Sequence, residues 1–422
     1  MEEHLLIVVV ATFILGFGLI SGRLQKTVIT PPMMFVLFGL LIGPTLFGVM
    51  DAEIENDVIN FIAEITLIVI LFTDASRIDL KLLRREHDIP IRLLAIGLPL
   101  TMVAGALVGA LLFDALTFWE AVVLAIILAP TDAALGQAVV SSPQVPVRIR
   151  QALNVESGLN DGIALPVLLF FISLAGSAEN IGQGYWLQFA AAQIILGPIV
   201  GVAVAYVGGW LVAWAEAREW VDEAFQKLVA LGLALLAFAL AELIGGNGFI
   251  AAFCAGVTLG NLFSHVCSRL YEFIEAEGQL LTLVTFMIYG GVMVTPALEQ
   301  LSWQILLYAI LSLTVIRLIP VALSLSGMGL QLKTVLFLGW FGPRGIASII
   351  YGLIILEEIT LRGREPIFNV MVVTVLLSVF AHGLTAVPAA NAYGAHAESM
   401  RDEPEIPEMK PVSEMPARVR YP

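Results

Sequence analysis

The sequence predicts an all-α protein that crosses a membrane many times. Of its 422 residues, 59% are apolar and 13% are charged, whereas soluble domains carry about 25% charged residues. Apolar runs of about 18 residues or more recur along the chain, and each could cross the hydrocarbon core of a bilayer. Because only short polar or Pro/Gly stretches separate these runs, we predict one membrane bundle rather than several domains.

The apolar runs correspond to about thirteen predicted transmembrane helices. They cover residues 4–22, 31–50, 57–75, 91–113, 116–140, 152–176, 186–215, 224–243, 247–263, 279–296, 302–325, 333–356 and 367–388. Residues 1–390 form the predicted transmembrane domain. Residues 391–422 are polar and rich in proline, which predicts a disordered cytoplasmic tail. The tail could bind a regulatory partner or have no role.

Basic residues in the loops predict the orientation, because cytoplasmic loops are enriched in Lys and Arg. One set of loops holds most of them, including Arg84, Arg85 and Arg148, whereas the other set holds Arg362 and Arg364. We therefore expect the N-terminus outside and the C-terminus in the cytoplasm.

Two predicted spans are interrupted in their middle. Pro130 lies within the fifth span, and the Gly-Pro-Arg-Gly motif at residues 342–345 lies within the twelfth. If the seventh span is a linker, these are corresponding positions in two inverted-topology repeats, an arrangement common in transporters. Proline removes a backbone donor and glycine loosens a helix, so both spans are predicted to unwind and present free carbonyl groups. A simple proline kink is the alternative.

Composition excludes several classes of function. The formal net charge is −14, which would repel nucleic acid and favour cations. The two cysteines and five histidines lack the spacing of a disulfide framework or a metal cluster. We expect no cofactor.

Ionisable residues cluster where the membrane interior is predicted. Asp132 follows Pro130, and the sixth span contains Glu156, Ser157, Asn160 and Asp161 on one helical stripe. A charge at the centre of a membrane helix costs about 2.5–3.5 kcal/mol on insertion scales, so the cluster indicates function. Carboxylate, hydroxyl, amide and carbonyl oxygens suit a hard alkali cation. The same carboxylates can hold protons, and competition between the two ions would couple their transport.

For several charged residues the sequence leaves two interpretations open. Glu156 is expected to form a structural ion pair with Arg317 or Arg344, and either arginine could be the partner. Asp74, at the cytoplasmic end of the third span, could shape an entrance or simply lie at the membrane interface. For Glu64 and Glu242, a role in the ion pathway and a structural role are equally open.

Together, Pro130-Thr131-Asp132, residues 154–162 and residues 342–345 resemble the NhaP type of sodium/proton antiporter over residues 1 to about 390. The resemblance implies an NhaA-like fold with broken, crossing helices, a homodimer and elevator-like alternating access. It also implies exchange of sodium or lithium for protons across the inner or plasma membrane, for pH and sodium homeostasis. The large cytoplasmic domain of animal exchangers is missing, which suggests a prokaryotic protein.

The resemblance also implies residue roles. Asp161 would carry the proton or cation, with Asn160 as its pair partner and Ser157 and the Thr131 carbonyl group as ligands. Asp132 would lie nearby as a further cation-binding residue. Because position 160 is asparagine, one carboxylate of the pair can titrate, which predicts electroneutral exchange. Asp74 lies where relatives often carry an acidic residue.

Other functions remain as alternatives. An intramembrane aspartyl protease also needs two aspartates on adjacent spans, but the residues before Asp161 depart from its Gly-x-Gly-Asp motif. A sodium-coupled symporter or a potassium/proton exchanger would share the predicted fold. A passive channel is disfavoured because a buried carboxylate binds cations too tightly for fast passage.

Overall fold

The computed structural model describes residues 2–24, 27–44, 46–49, 57–132, 134–177, 183–264, 278–358, 361–399 and 406–414. These residues are mostly helical, and none of them lies in a strand. The first eight helices are α1 (Glu2–Leu24), α2 (Pro31–Ile42), α3 (Asp57–Ser76), α4 (Leu80–Glu86), α5 (Asp88–Leu112), α6 (Phe118–Ile127), α7 (Gln137–Val140) and α8 (Val147–Ser177). The next eight are α9 (Gln183–Glu216), α10 (Glu223–Leu243), α11 (Gly248–Leu262), α12 (Gly278–Glu299), α13 (Trp303–Ser324), α14 (Leu332–Trp340), α15 (Ile346–Glu357) and α16 (Arg364–Ser399).

The helices confirm the predicted polytopic membrane bundle. Among the described residues, seven helices are long and apolar enough to cross a membrane, and several others are shorter. Large apolar side chains such as Leu19, Ile199 and Trp210 are exposed at the surface, where lipid would contact them. The second predicted span ends earlier than expected, at Ile42, because Gly43 and Pro44 follow and proline cannot continue the helix.

Both predicted breaks are present. Helix α6 ends at Ile127 and α7 begins at Gln137, while α14 ends at Trp340 and α15 begins at Ile346. Between them, residues 128–132 and 341–345 contain no α-helix. The two interruptions leave helix ends inside the bundle, with peptide groups that need partners outside their own helix, as the proline and glycine residues predict.

Glycines bring several helices into close contact. On α11, Gly256 and Gly260 face α3, where an added Cβ atom would lie 2.2 Å from the Phe72 carbonyl oxygen and 2.0 Å from the Ser76 carbonyl oxygen. Small residues four positions apart allow membrane helices to approach this closely. Helix α3 is thereby held against α11, and it also contacts α8 and α15, which carry the site described below.

The C-terminal residues differ from the predicted disordered tail. Helix α16 continues past residue 390 to Ser399, and residues 407–409 form a 3₁₀ turn. Glu408 is fully buried and accepts hydrogen bonds from the backbone N–H of Gln331 and from the Thr334 hydroxyl group. Helix α16 therefore continues through the predicted boundary at residue 390. The contact of Glu408 with α14 is tertiary, so local polarity did not reveal it. Residues 400–405 and 415–422 of the predicted tail lie outside the described part of the chain.

Candidate functional site

The two broken spans meet and bind each other through their unwound segments. The Asp132 backbone N–H donates a hydrogen bond to the Pro343 carbonyl group at 2.8 Å. In return, Arg344 Nη1 lies 3.2 Å from the Ala129 carbonyl oxygen and 3.4 Å from the Pro130 carbonyl oxygen. Arg344 is fully buried, so these carbonyl groups replace part of the water that its guanidinium loses. Arg344 of the second break therefore binds the first break and stabilises the carbonyl groups of Ala129 and Pro130.

The Asp132 side chain points toward the start of α15. One carboxylate oxygen accepts from the Ile346 N–H at 3.0 Å and the other from the Ala134 N–H at 2.8 Å. Gly345 leaves room for this contact, since a Cβ atom there would lie 2.0 Å from the Asp132 Oδ2 atom. A carboxylate at a helix N-terminus is stabilised by the free N–H groups and the helix dipole. Asp132 thus ties the first break to the second.

Helix α8 brings its predicted polar stripe to the first break. The Ser157 and Thr131 hydroxyl oxygens lie 3.0 Å apart. Asn160 Nδ2 donates to the Thr131 hydroxyl oxygen at 2.7 Å and lies 3.3 Å from the Thr131 carbonyl oxygen. The Asn160 Oδ1 atom is buried and has no hydrogen-bond partner among the described residues. The three residues therefore gather hydroxyl, carbonyl and amide oxygens in one small region.

Asp161 lies next to Asn160 on α8 and is 8% exposed. Its backbone carbonyl group accepts a hydrogen bond from the Tyr351 hydroxyl group of α15 at 2.8 Å. On the same helix, Ser348 donates to the Ile127 carbonyl group at the end of α6. Helix α15 is thus bonded both to the carboxylate-bearing stretch of α8 and to the broken fifth span.

The structure identifies the partner of Glu156. Arg317 Nη1 lies 2.7 Å from Glu156 Oε1, and Arg317 Nη2 donates to Glu156 Oε2 at 2.8 Å. Both side chains are almost fully buried, at 1% and 2% exposure. Of the two arginines that the sequence left open, Arg317 of α13 forms the ion pair, whereas Arg344 binds carbonyl groups of the breaks. The two-point contact fixes α8 against α13.

Asp74 lies beside the same part of α8. A Cβ atom on Gly158 would lie 3.9 Å from the Asp74 Cβ atom, and Asp74 is partly exposed. The residue therefore neighbours the polar stripe at a position that solvent can reach.

Two cavities lie at opposite ends of the bundle, as the chain directions of their helices show. One, of about 360 Å³, is lined by residues that include Pro31 of α2, Ala134 and Leu135 after the first break, and Asn391 of α16. The other, of about 350 Å³, is lined by Glu64 of α3, Phe249 of α11, and Ile350, Ile354 and Glu357 of α15. Asp132 adjoins the first cavity in sequence, and Tyr351 adjoins the second. The chain segments that form the polar site therefore continue into the lining of both cavities.

Four residues at or behind the crossing were not predicted as site residues, namely Ser348, Tyr351, Ser378 and His382. Ser378 and His382 lie four positions apart in a mostly apolar span, which is a readable signal of a polar helix face. Ser348 and Tyr351 gave a weaker signal because single hydroxyl groups are common in membrane helices.

The polar atoms gathered at the crossing include several oxygens. Thr131, Ser157 and Asn160 supply neutral oxygens, and Asp161 on the same helical stripe supplies a carboxylate. Such a donor set suits a hard cation. Within the described residues, no group of three or more His, Cys, Asp or Glu side chains is arranged to hold a metal ion. The broken crossing helices and their buried oxygens define the class of protein as a secondary cation transporter.

Comparison with known proteins agrees with this class. The family model described as sodium/hydrogen exchanger, transmembrane, matches residues 7–392. The chain therefore belongs to the sodium/hydrogen exchanger family, whose members are multi-pass membrane antiporters rather than enzymes.

Relatives come from fungi and bacteria. The chain is 26% identical to a Na(+)/H(+) antiporter of Schizosaccharomyces pombe, with 91% of this chain and 89% of that protein aligned. It is 26% identical to the Na(+)/H(+) antiporter ApNhaP of Aphanothece halophytica, over 91% and 73% of the two chains. The alignment with Na(+)/H(+) antiporter 2 of Zygosaccharomyces rouxii, at 26% identity, includes 82% of this chain but 45% of that protein, so this chain spans about half of it.

The fold is that of a solved archaeal protein. The structure of the sodium proton antiporter MjNhaP1 from Methanocaldococcus jannaschii superposes with a TM-score of 0.74 at 21% identity, covering 93% of this chain and 99% of that one. This likeness confirms the predicted antiporter fold.

Proposed function

We propose that this protein exchanges sodium or lithium for protons at Asp161. The observation that carries the proposal is the cluster of Thr131, Ser157 and Asn160 oxygens beside Asp161, buried where two broken helices cross. The carboxylate binds either a proton or a cation, with Thr131 and Ser157 as further cation ligands. Asn160 holds the Thr131 oxygens in place through its amide group.

Competition for one carboxylate is sufficient to couple the two fluxes. A bare Asp161 would have to cross an apolar barrier as an anion, which is costly. With a proton or a cation bound, the charge is neutralised and the barrier falls. Exchange then follows if the carrier opens alternately to the two cavities. The cavities at opposite ends of the bundle support this alternating access.

The other charges of the site support electroneutral exchange of one proton for one cation. Position 160 carries an amide, Glu156 is paired with Arg317, and the Asp132 carboxylate is bound by backbone N–H groups. Asp161 is therefore left as the carboxylate that changes partner. Asp132, which the sequence predicts as a cation-binding residue, positions the crossing in this proposal and acts indirectly on the cation. Asp74 and Glu64 lie along the approaches from either end.

We further propose a homodimer in a cell membrane, with the N-terminus outside and the C-terminus in the cytoplasm. The Lys and Arg distribution supports this orientation. The prokaryotic origin stays a prediction, since the relatives include fungal proteins.

Potassium is the second candidate cation. One relative, the K(+)/H(+) antiporter NhaP2 of Shewanella sp., is 22% identical over 88% of this chain and 63% of that protein. The same oxygen ligands could hold potassium in a wider arrangement, so the identity of the cation is an outcome of the test.

The test uses purified protein in liposomes with an imposed pH gradient and a fluorescent pH reporter inside. Sodium, lithium or potassium is added to the wild type and to Asp161→Asn, with the membrane potential clamped by valinomycin at several values. We expect sodium and lithium to collapse the pH gradient with the wild type but not with Asp161→Asn. The rate should be the same at every clamped membrane potential. Activity with potassium alone would show that potassium, rather than sodium or lithium, is the transported cation. Equal activity in the Asp161→Asn variant would disprove the role of Asp161.

A further inference from the structure

Behind the second break, α16 places two buried polar side chains against both of its ends. Ser378 and His382 are each 0% exposed. The Ser378 hydroxyl oxygen accepts a hydrogen bond from the Arg344 backbone N–H at 2.6 Å. His382 Nε2 lies 2.9 Å from the carbonyl oxygen of Trp340, the last residue of α14. The two contacts bracket residues 341–345, one at Trp340 just before the segment and the other at Arg344 near its end.

The polarity of the histidine contact follows from its partners. A carbonyl oxygen only accepts, so His382 Nε2 carries the proton and donates to Trp340. His382 Nδ1 lies 3.2 Å from the Ser378 hydroxyl oxygen and 3.0 Å from the Ser378 carbonyl oxygen. It can accept from the hydroxyl group when bare or donate to the carbonyl group when protonated. In both states His382 joins Ser378 to Trp340.

The Arg344 N–H needs such a partner because the backbone of the break does not supply one. The Trp340 carbonyl group also accepts from the Gly342 N–H at 2.8 Å, so His382 adds a second hydrogen bond there. In a continuous helix the Arg344 N–H would donate to residue 340, four positions earlier. Here the chain is unwound, and the N–H would be left buried and unpaired without Ser378. Inside a membrane protein an unpaired backbone group is costly, so side chains from a neighbouring helix must satisfy it.

The bracketed segment in turn positions the cation ligands. Its Pro343 carbonyl group accepts from the Asp132 N–H, and the Arg344 guanidinium binds the carbonyl groups of Ala129 and Pro130. These contacts lie on both sides of Thr131, whose oxygens face Ser157 and Asn160. A shift of residues 341–345 would therefore displace Thr131.

We propose that His382 and Ser378 are positioning residues for cation binding, acting through the second break on Thr131. The proposal rests on the exchange function proposed above. It assigns α16 a role as the rear support of the crossing, although neither residue touches the cation.

The test compares the KM for sodium in four single variants. His382→Met removes the donor at similar size, Ser378→Ala removes the hydroxyl group, and His382→Gln keeps an N–H near Nε2. Thr385→Val is the matched control, because Thr385 also lies on α16 and accepts from Trp340, but from its indole Nε1 rather than its backbone. We expect the KM to rise about tenfold in His382→Met and Ser378→Ala, and to stay within about threefold of wild type in His382→Gln and Thr385→Val.

A split between KM and maximal rate separates positioning from general stability. A merely structural role would lower the amount of active protein, and so the maximal rate, with an unchanged KM. Because both residues belong to one hydrogen-bonded chain, the double variant His382→Met/Ser378→Ala should raise the KM no further than either single variant. If His382→Met fails to fold, the KM for sodium of the smaller variant Ser378→Ala tests the proposal.

The outcomes are distinct from those for Asp161. If the wild type exchanges cations and Asp161→Asn does not, but the KM of folded Ser378→Ala stays within about twofold of wild type, this inference is overturned and the proposed function stands. Equal KM values for His382→Met and Thr385→Val would also overturn it. If the wild type shows no exchange, both proposals fail.

Discussion

Glu156 and Arg317 form a buried two-point ion pair that joins α8 to α13 across 161 residues of sequence. Glu156 directly precedes Ser157, so the ion pair fixes the helix that carries the polar stripe. The pair brings two full charges into an apolar bundle, where each is tolerated because the other is present.

Removing one partner should therefore destabilise the protein strongly. Arg317→Met leaves the Glu156 carboxylate buried alone, at an expected cost of about 3–5 kcal/mol. The double variant Glu156→Leu/Arg317→Met should recover most of this loss. Thermal unfolding in detergent measures both. As a control, Arg150→Ala breaks a partly exposed pair with Glu414 and should change stability little. If Arg317→Met unfolds at the wild-type temperature, the pair contributes no stability.

Thr131 should set the affinity for sodium through its hydroxyl group. Thr131→Val keeps the shape but removes the contacts with Ser157 and Asn160. A lost hydrogen bond of about 1 kcal/mol predicts a KM for sodium about fivefold higher. Thr131→Ser keeps the hydroxyl group and serves as the matched variant. Transport assays over a range of sodium concentrations give the KM. An unchanged KM in Thr131→Val would exclude the Thr131 hydroxyl group as a cation ligand and leave its carbonyl group in that role.

Competition at Asp161 predicts a specific pH dependence. As the pH falls, protons occupy the carboxylate and sodium must displace them, so the apparent KM for sodium should rise. The limit is about tenfold per pH unit, with the maximal rate unchanged. Initial rates at several pH values and sodium concentrations measure this. A maximal rate that falls at constant KM would indicate separate proton and sodium sites.

Close packing of α3 and α11 should be sensitive to a single methyl group. In Gly260→Ala the new Cβ atom would lie 2.0 Å from the Ser76 carbonyl oxygen, so the helices must separate. Overpacking of this kind costs about 1–3 kcal/mol, which should lower the melting temperature. Gly18→Ala is the control, since within the described part of the chain its Cβ position has no neighbour within 4 Å outside its own stretch of helix. Equal melting temperatures for the two variants would show that the contact yields easily.

Glu408 should anchor the C-terminal residues to α14. Glu408→Ala leaves the Gln331 N–H and the Thr334 hydroxyl group without this partner, at an expected cost of about 1–3 kcal/mol. Glu408→Gln retains a carbonyl acceptor and should lose less. Limited proteolysis of residues near the C-terminus reports release of the segment. Wild-type resistance in Glu408→Ala would mean that the contact with α14 is dispensable.

The sequence alone predicted the main features of the bundle and of its site. Apolar runs of membrane-spanning length identify helices without tertiary information. Pro130 and Pro343 mark the two breaks because proline cannot complete the helical hydrogen bonds, whatever surrounds it. The stripe from Glu156 to Asp161 was readable because charged residues inside a membrane span are costly and therefore rare. Each of these signals is local.

Pairing between distant residues was decided by the tertiary structure. Arg317 and Arg344 are both intramembrane arginines, and packing alone determines that Arg317 meets Glu156 while Arg344 meets the carbonyl groups of the first break. The same holds for Asp132, whose carboxylate binds the start of α15, and for Glu408 against α14. Hydrogen bonds are short and directional, so a partner is set by where two helices cross, and that position depends on the packing of the whole bundle.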